Sequence, residues 1–196
     1  MQKHVVGLGG GGFSEEENLI LEQYILNLTG KPRPKVCFLP TASGDSADYI
    51  ANFYTKFGRL DCVTSHLTLS PPNLTHIREH LLYQDVIHVG GGNTINMLAL
   101  WREHGIDNIM REAWEAGIVL SGISAGSICW FEQGVTDSLG PLNQMECLGI
   151  IPGSNCVHYD TQSERRPMLQ KLVGSGSIKP GFGTDEAGTA MALLLI

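Results

Sequence analysis

The stretch GIVLSGISAGS (residues 117–127) begins as an apolar run and ends in a serine boxed by glycines. An unbroken apolar run bounded by glycine reads as a strand buried on both faces, the kind found in parallel sheets. Such a sheet needs helices on both sides, so strands and helices should alternate along the chain. Upstream they do. DVIHVGGGN (85–93) is a second apolar strand that meets glycines, and the helical segments NTINMLALWREHG (93–105) and NIMREAWEAG (108–117) separate it from the first. KHVVGLG (3–9), KVCFLPTAS (35–43) and DCVTSHLTL (61–69) read as further strands, with SADYIANFYTKFG (46–58) and the short NLTHIREHLLYQ (73–84) as helices. SEEENLILEQYILNLTG (14–30) reads as a helix with Ser14 as N-cap, Glu17 completing a capping box and Gly30 as its stop. The expectation is an α/β fold: a doubly wound, mostly parallel sheet with helices on both faces. Beyond residue 132 the pattern loosens, predicting loops and short strands and a helix near RPMLQKLVG (166–174). The final AMALLLI (190–196) reads as an edge strand or a truncated end.

Composition narrows the function. A chain of 196 residues suits one domain, read here as a single catalytic unit over 1–196, and 42% hydrophobic with 17% charged residues is an ordinary globular balance. A net charge of −7, with Arg165–Arg166 as the one basic doublet, argues against a nucleic-acid partner. No apolar stretch approaches the ~20 residues of a membrane span. Five scattered cysteines without a CxxC pair suggest reduced thiols and a cytoplasmic setting.

In such sheets ligands bind beyond the carboxyl ends of the strands. Glycine-rich turns stand at three strand ends, at Gly9–Gly12, Gly90–Gly92 and Gly122/Gly126. The last one, Gly122-Ile123-Ser124-Ala125-Gly126, fits G-x-S-x-G, in which a tight strand-to-helix turn holds a serine hydroxyl out of the sheet edge. Side chains two residues to either side would clash, and the amide of Ala125 could donate to an oxyanion. The plain alternative is a serine that only caps a closely packed helix. VGGGN (89–93) could supply another oxyanion amide or form a simple turn. A nucleophilic serine needs a base, and His158 is the one histidine of seven that follows Ser124. Asp160, Asp185 and Glu186 are the nearby acids that could orient it.

VGGGNT, GISAGS, TDS, VHYD and TDEAGTA, in that order, resemble the peptidase E family of serine peptidases, the group of aspartyl dipeptidases and, more distantly, cyanophycinases. The resemblance runs from KVCFLPTAS to TDEAGTA. It implies a fold like that of class I glutamine amidotransferases, with Ser124 as nucleophile, His158 as base and oxyanion amides from Gly92 and Ala125. It points to Glu186 as the third member, with Asp137 of GVTDS as second candidate. It implies small peptide substrates, dipeptides with N-terminal aspartate above all, whose carboxylate Arg165 or Arg166 could meet. No cofactor or metal is implied; a homo-oligomer is possible.

Other features compete weakly. GLGGGG (7–12) contains part of a dinucleotide fingerprint, but the following strand lacks a ribose-binding acid. HIREH (76–80) matches an inverted zinc motif without a third ligand, so a solvated helical face is the better reading. Cys129, on the helix after Ser124, reads as a core residue.

Overall fold

The computed structural model describes residues 2–11, 13, 18–186 and, as backbone, 191–195. The capping box expected at Ser14 and Glu17 lies outside the described residues, as does Gly12. Strands β1 (Lys3–Leu8), β2 (Lys35–Leu39), β3 (Val63–His66), β4 (Val86–Val89) and β5 (Val119–Ile123) form a parallel sheet. A last strand, β10 (Met191–Leu195), pairs antiparallel with β1, giving the order β10-β1-β5-β4-β2-β3.

Both faces are covered because successive residues point to opposite sides of a strand. Val6, Val36, Phe38 and Val86 pack with Ile25 of α1 (Ile20–Asn27) and Phe53 and Phe57 of α2 (Ala47–Phe57). Their neighbours Val5, Cys37, Leu39 and Ile87 pack on the other face. There they meet α3 (Ile77–Leu82), α4 (Thr94–Glu103) and α5 (Ile106–Glu115) through Leu81, Met97, Trp101 and Met110. Side chains fix two helix starts: Ser46 Oγ accepts the Tyr49 amide at 3.4 Å, and Asn93 Oδ1 accepts that of Asn96 at 2.9 Å. Among the described residues no helix is long and apolar enough to cross a membrane.

The region expected as loops and short strands builds a second sheet. Its strands are β6 (Phe131–Thr136), β7 (Asn143–Glu146), β8 (Ile151–Cys156) and β9 (Gly181–Gly183), in the order β7-β6-β8-β9. Phe131, Ile150 and Ile151 join the core that holds Trp101 and Met97, so this sheet packs on the α4–α5 side. Helix α6 (Ala125–Ile128) enters it, and α7 (Arg165–Gly174) lies against it through Leu169.

One polar group sits deep in the main sheet. His88 of β4 is fully buried, with ring centroids 5.6 Å from Phe13 and 5.8 Å from Phe57. Its Nδ1 shares a 2.8 Å hydrogen bond with Ser121 Oγ, while Nε2 has no partner among the described residues. Burial penalises the imidazolium and pushes its pKa down to about 3. In the unfolded chain His88 takes a proton below about pH 6.5. The unfolded state therefore binds the extra proton between these two values, and stability falls as pH drops through the window. Urea unfolding at pH 7.5 and 5.5 should register a loss of about 1 kcal/mol from this group. His88→Leu combined with Ser121→Ala should flatten that dependence.

Candidate active site

Strand β5 lies between β1 and β4, so the glycine turns ending those strands flank the turn that follows β5. Ser124 occupies that turn at φ 53° and ψ −110°, a conformation a side chain rarely adopts. Its amide donates to Leu8 O of β1 at 2.9 Å, and its carbonyl accepts the amides of Ser127 and Ile128 at 2.9 Å each. The flanking glycines are required by close approach. A Cβ on Gly122 would stand 2.3 Å from Gly126 O, and one on Gly126 would stand 2.2 Å from Val89 O. Helix α6 is a single turn of 4 residues, so what it offers the serine is the amide of Ala125 and not the dipole of a long helix.

His158 follows the end of β8 and also takes a positive φ, 52°. Its Nε2 lies 2.9 Å from Ser124 Oγ. Its Nδ1 lies 3.3 Å from Glu186 Oε1, within ion-pair distance though without hydrogen-bond geometry. Glu186 is held in turn. Its Oε2 accepts the Thr161 hydroxyl, and its amide donates to Asp160 Oδ1 at 2.8 Å. Asp160 thus anchors the acid loop and does not reach for the imidazole. Asp160 stood among the acids read from the sequence as able to orient His158, whereas Thr161 carried no signal beyond lying three residues after it.

The N-terminal glycines seat this acid. A Cβ on Gly9 would fall 2.2 Å from Asp185 O. One on Gly10 would fall 2.6 Å from Glu186 Cγ and 3.0 Å from His158 Nδ1. The glycine run that mimics a dinucleotide fingerprint is therefore a contact surface for the His158–Glu186 pair. Gly10→Ala should displace the Glu186 side chain. Turnover should fall about tenfold or more, short of the full loss of a triad acid, with an unchanged melting temperature. Steady-state kinetics and a thermal melt check both halves.

Gly92 and Ala125 lie on the turns flanking the hydroxyl. Among the described residues neither amide is hydrogen-bonded to a protein acceptor. Gly92 needs its missing side chain, since at φ 137° a Cβ would stand 2.1 Å from Ala42 O. The loop is clamped just beyond it: the Asn93 amide donates to Ala42 O at 2.7 Å and Asn93 Nδ2 to Ser138 O at 2.8 Å. The Thr94 amide donates to Ser138 Oγ at 3.0 Å.

The second acid candidate, Asp137, is not at His158. Its Oδ1 faces Arg165 Nη2 at 3.3 Å, with 60% of the side chain exposed. Arg165, by contrast, is engaged away from solvent. It is 3% exposed, donates from Nη1 to Val135 O at 3.2 Å and from Nε to Gln162 Oε1 at 2.7 Å. Arg165, one of the two arginines expected to meet a substrate carboxylate, thus braces α7 against β6. Arg166 is exposed, stacked 4.9 Å over the ring of Tyr159, the neighbour of His158. His80 Nε2 bonds Ser65 Oγ at 3.2 Å, and no cluster of His, Cys, Asp or Glu among the described residues could hold a metal ion. Burial raises the Cys129 thiol well above its usual range, making it a packing group.

The sequence and the fold have counterparts. The chain is 52% identical over 185 residues to the uncharacterized peptidase YgaJ of Bacillus subtilis (strain 168), covering 94% of this chain and 80% of that one. It is 31% identical over 166 residues to the uncharacterized peptidase Lmo0363 of Listeria monocytogenes (serovar 1/2a), covering 79% and 78%. Two crystal structures share the fold at low identity. A peptidase E candidate from Listeria monocytogenes EGD-e superposes with a TM-score of 0.70 at 18% identity over 100% of both chains. A peptidase from an acI-B1 Actinobacterium superposes at 0.69 and 19% identity, covering 99% of this chain and 84% of that one. The model of peptidase family S51 matches residues 5–193, nearly the whole chain, and with that the chain belongs to peptidase family S51.

Proposed function

We propose that the protein is a serine peptidase of small peptides, with Ser124, His158 and Glu186 as its triad. The observation that carries this reading is a strained elbow serine 2.9 Å from an imidazole nitrogen, with a carboxylate 3.3 Å from the other nitrogen. His158 Nε2 takes the Ser124 proton as Oγ attacks the scissile carbonyl carbon. The amides of Gly92 and Ala125 receive the oxyanion. His158 then hands the proton to the leaving amine as the amide C–N bond breaks; water, deprotonated by the same nitrogen, attacks the acyl carbon, and His158 returns that proton to Ser124 Oγ as the ester bond breaks and the acid product leaves. Glu186 keeps the Nδ1 proton facing it and stabilises the imidazolium.

Dipeptides with N-terminal aspartate are the substrates we propose. With Arg165 buried, Arg166 is the cation beside the His158 loop that faces solvent and can meet a substrate carboxylate.

A fluorophosphonate probe followed by peptide mapping tests the chemistry. The adduct is expected on Ser124 and absent from Ser124→Ala. An unlabelled wild-type serine, with no hydrolysis across a dipeptide panel, overturns the reading in favour of a binding protein. Cleavage of leucyl dipeptides as fast as aspartyl ones overturns the specificity alone.

A further inference from the structure

Beneath the candidate triad runs a second chain of polar side chains that plays no part in the proposed chemistry. Ser127, Asn155 and Thr184 are 0%, 0% and 3% exposed. Asn155 Nδ2 donates to Ser127 Oγ at 3.0 Å, and Thr184 Oγ1 donates to Asn155 Oδ1 at 2.7 Å. Each member belongs to a segment that carries one triad residue. Ser127 lies three residues after Ser124 on α6, Asn155 three before His158 on β8, and Thr184 two before Glu186. The Thr184 amide also donates to Cys156 O at 2.9 Å, and its carbonyl accepts the Tyr159 amide at 3.2 Å. Even β1 makes room: a Cβ on Gly7 would stand 2.5 Å from Ser127 Oγ.

Polar groups this deep are costly unless every one is bonded, and a satisfied network fixes one arrangement of the elements it joins. Hydrophobic residues would fill the same space without directional preference. The three segments come from different elements, and the triad needs them in register to a fraction of an ångström. We propose that Ser127, Asn155 and Thr184 are positioning residues. By joining the elbow helix, the histidine strand and the acid loop from below, they hold Ser124, His158 and Glu186 at their working distances. This rests on the triad reading given above.

The test isolates the arm nearest the acid. Thr184→Val keeps the shape and removes the hydroxyl; Thr184→Ser restores it. In a folded protein, Thr184→Val is expected to slow fluorophosphonate labelling of Ser124 about tenfold, a fraction of what loss of a triad acid costs. Thr184→Ser should stay within about threefold of wild type. In a Glu186→Gln background Thr184→Val should change the rate less than twofold, because its effect passes through the carboxylate. Labelling at the wild-type rate, or an equal tenfold loss in both backgrounds, overturns the proposal. If Thr184→Val does not fold, Ser127→Ala is read the same way, with the loss expected and an unchanged rate decisive against it. A separate measurement does not depend on reactivity. The His158 ring resonances in 1H–15N spectra should move in Thr184→Val in the direction they move in Glu186→Gln, and stay in place in Thr184→Ser. Unmoved resonances overturn the positioning role even if the serine proves inert, whereas an unlabelled wild type with moving resonances overturns only the peptidase chemistry.

Discussion

Ser124→Ala is expected to lower hydrolysis by about 10⁶, the scale at which loss of a nucleophile removes the whole triad, while the melting temperature stays where it was. The reason for the second half is local. The backbone at φ 53° is set by the Leu8 carbonyl on one side and the Ser127 and Ile128 amides on the other, none of which touches the hydroxyl. Alanine inherits the same strained turn, so the variant loses chemistry without losing fold. Kinetics on a cleaved dipeptide and circular dichroism melts of both proteins decide it. Retained turnover would show that the 2.9 Å Ser124–His158 contact is only a packing feature.

Glu186→Gln should cost about 10²–10⁴ in turnover, the range for neutralising a triad acid. Asp137→Asn should cost less than about threefold and, as an exposed ion-pair partner, under ~1 kcal/mol of stability. The contrast follows from placement. Glu186 Oε1 is 3.3 Å from His158 Nδ1 and its other oxygen is held by Thr161. Asp137 is 60% exposed and faces Arg165. Parallel assays of the two variants reverse the assignment if Asp137→Asn is dead and Glu186→Gln is active. Asp160→Asn belongs in the same series. It should show an intermediate defect, because its Oδ1 holds the amide of Glu186 and not the imidazole.

Much of this was legible in the chain. β1, β2, β4 and β5 are buried, largely apolar runs that meet glycine or proline, as burial on both faces of a parallel sheet demands, whereas β3 at the edge reads Val63-Thr-Ser-His66 and is partly exposed. The elbow was legible because steric demand at Gly122 and Gly126 admits one residue type. The second sheet was not. β7 reads Asn143-Gln-Met-Glu146 and β9 reads Gly181-Phe-Gly183, both largely exposed, so neither carries an apolar signature. β7 folds back antiparallel on its neighbour β6, and β9 pairs parallel with β8 across the whole of α7. The glycines at 9 and 10 announced a close approach without saying to what. The partner lies some 175 residues away, between Thr184 and Glu186. Arg165 and Arg166 are alike on paper, and only the start of α7 turns one inward and the other out.

The acid follows a slight element, β9, three residues ahead of it. β9 is 3 residues long, is exposed throughout, and pairs with β8 on one side only. The tryptophan pair Trp101 and Trp130 sits instead in the main core, with ring centroids 6.3 Å apart. Short exposed edges open with little free energy, long before a core yields. Partial opening of β9 would carry Glu186 away from His158 and leave both tryptophans packed. With the proposed triad, loss of catalytic competence on warming is expected to precede global unfolding, and no core probe would report it.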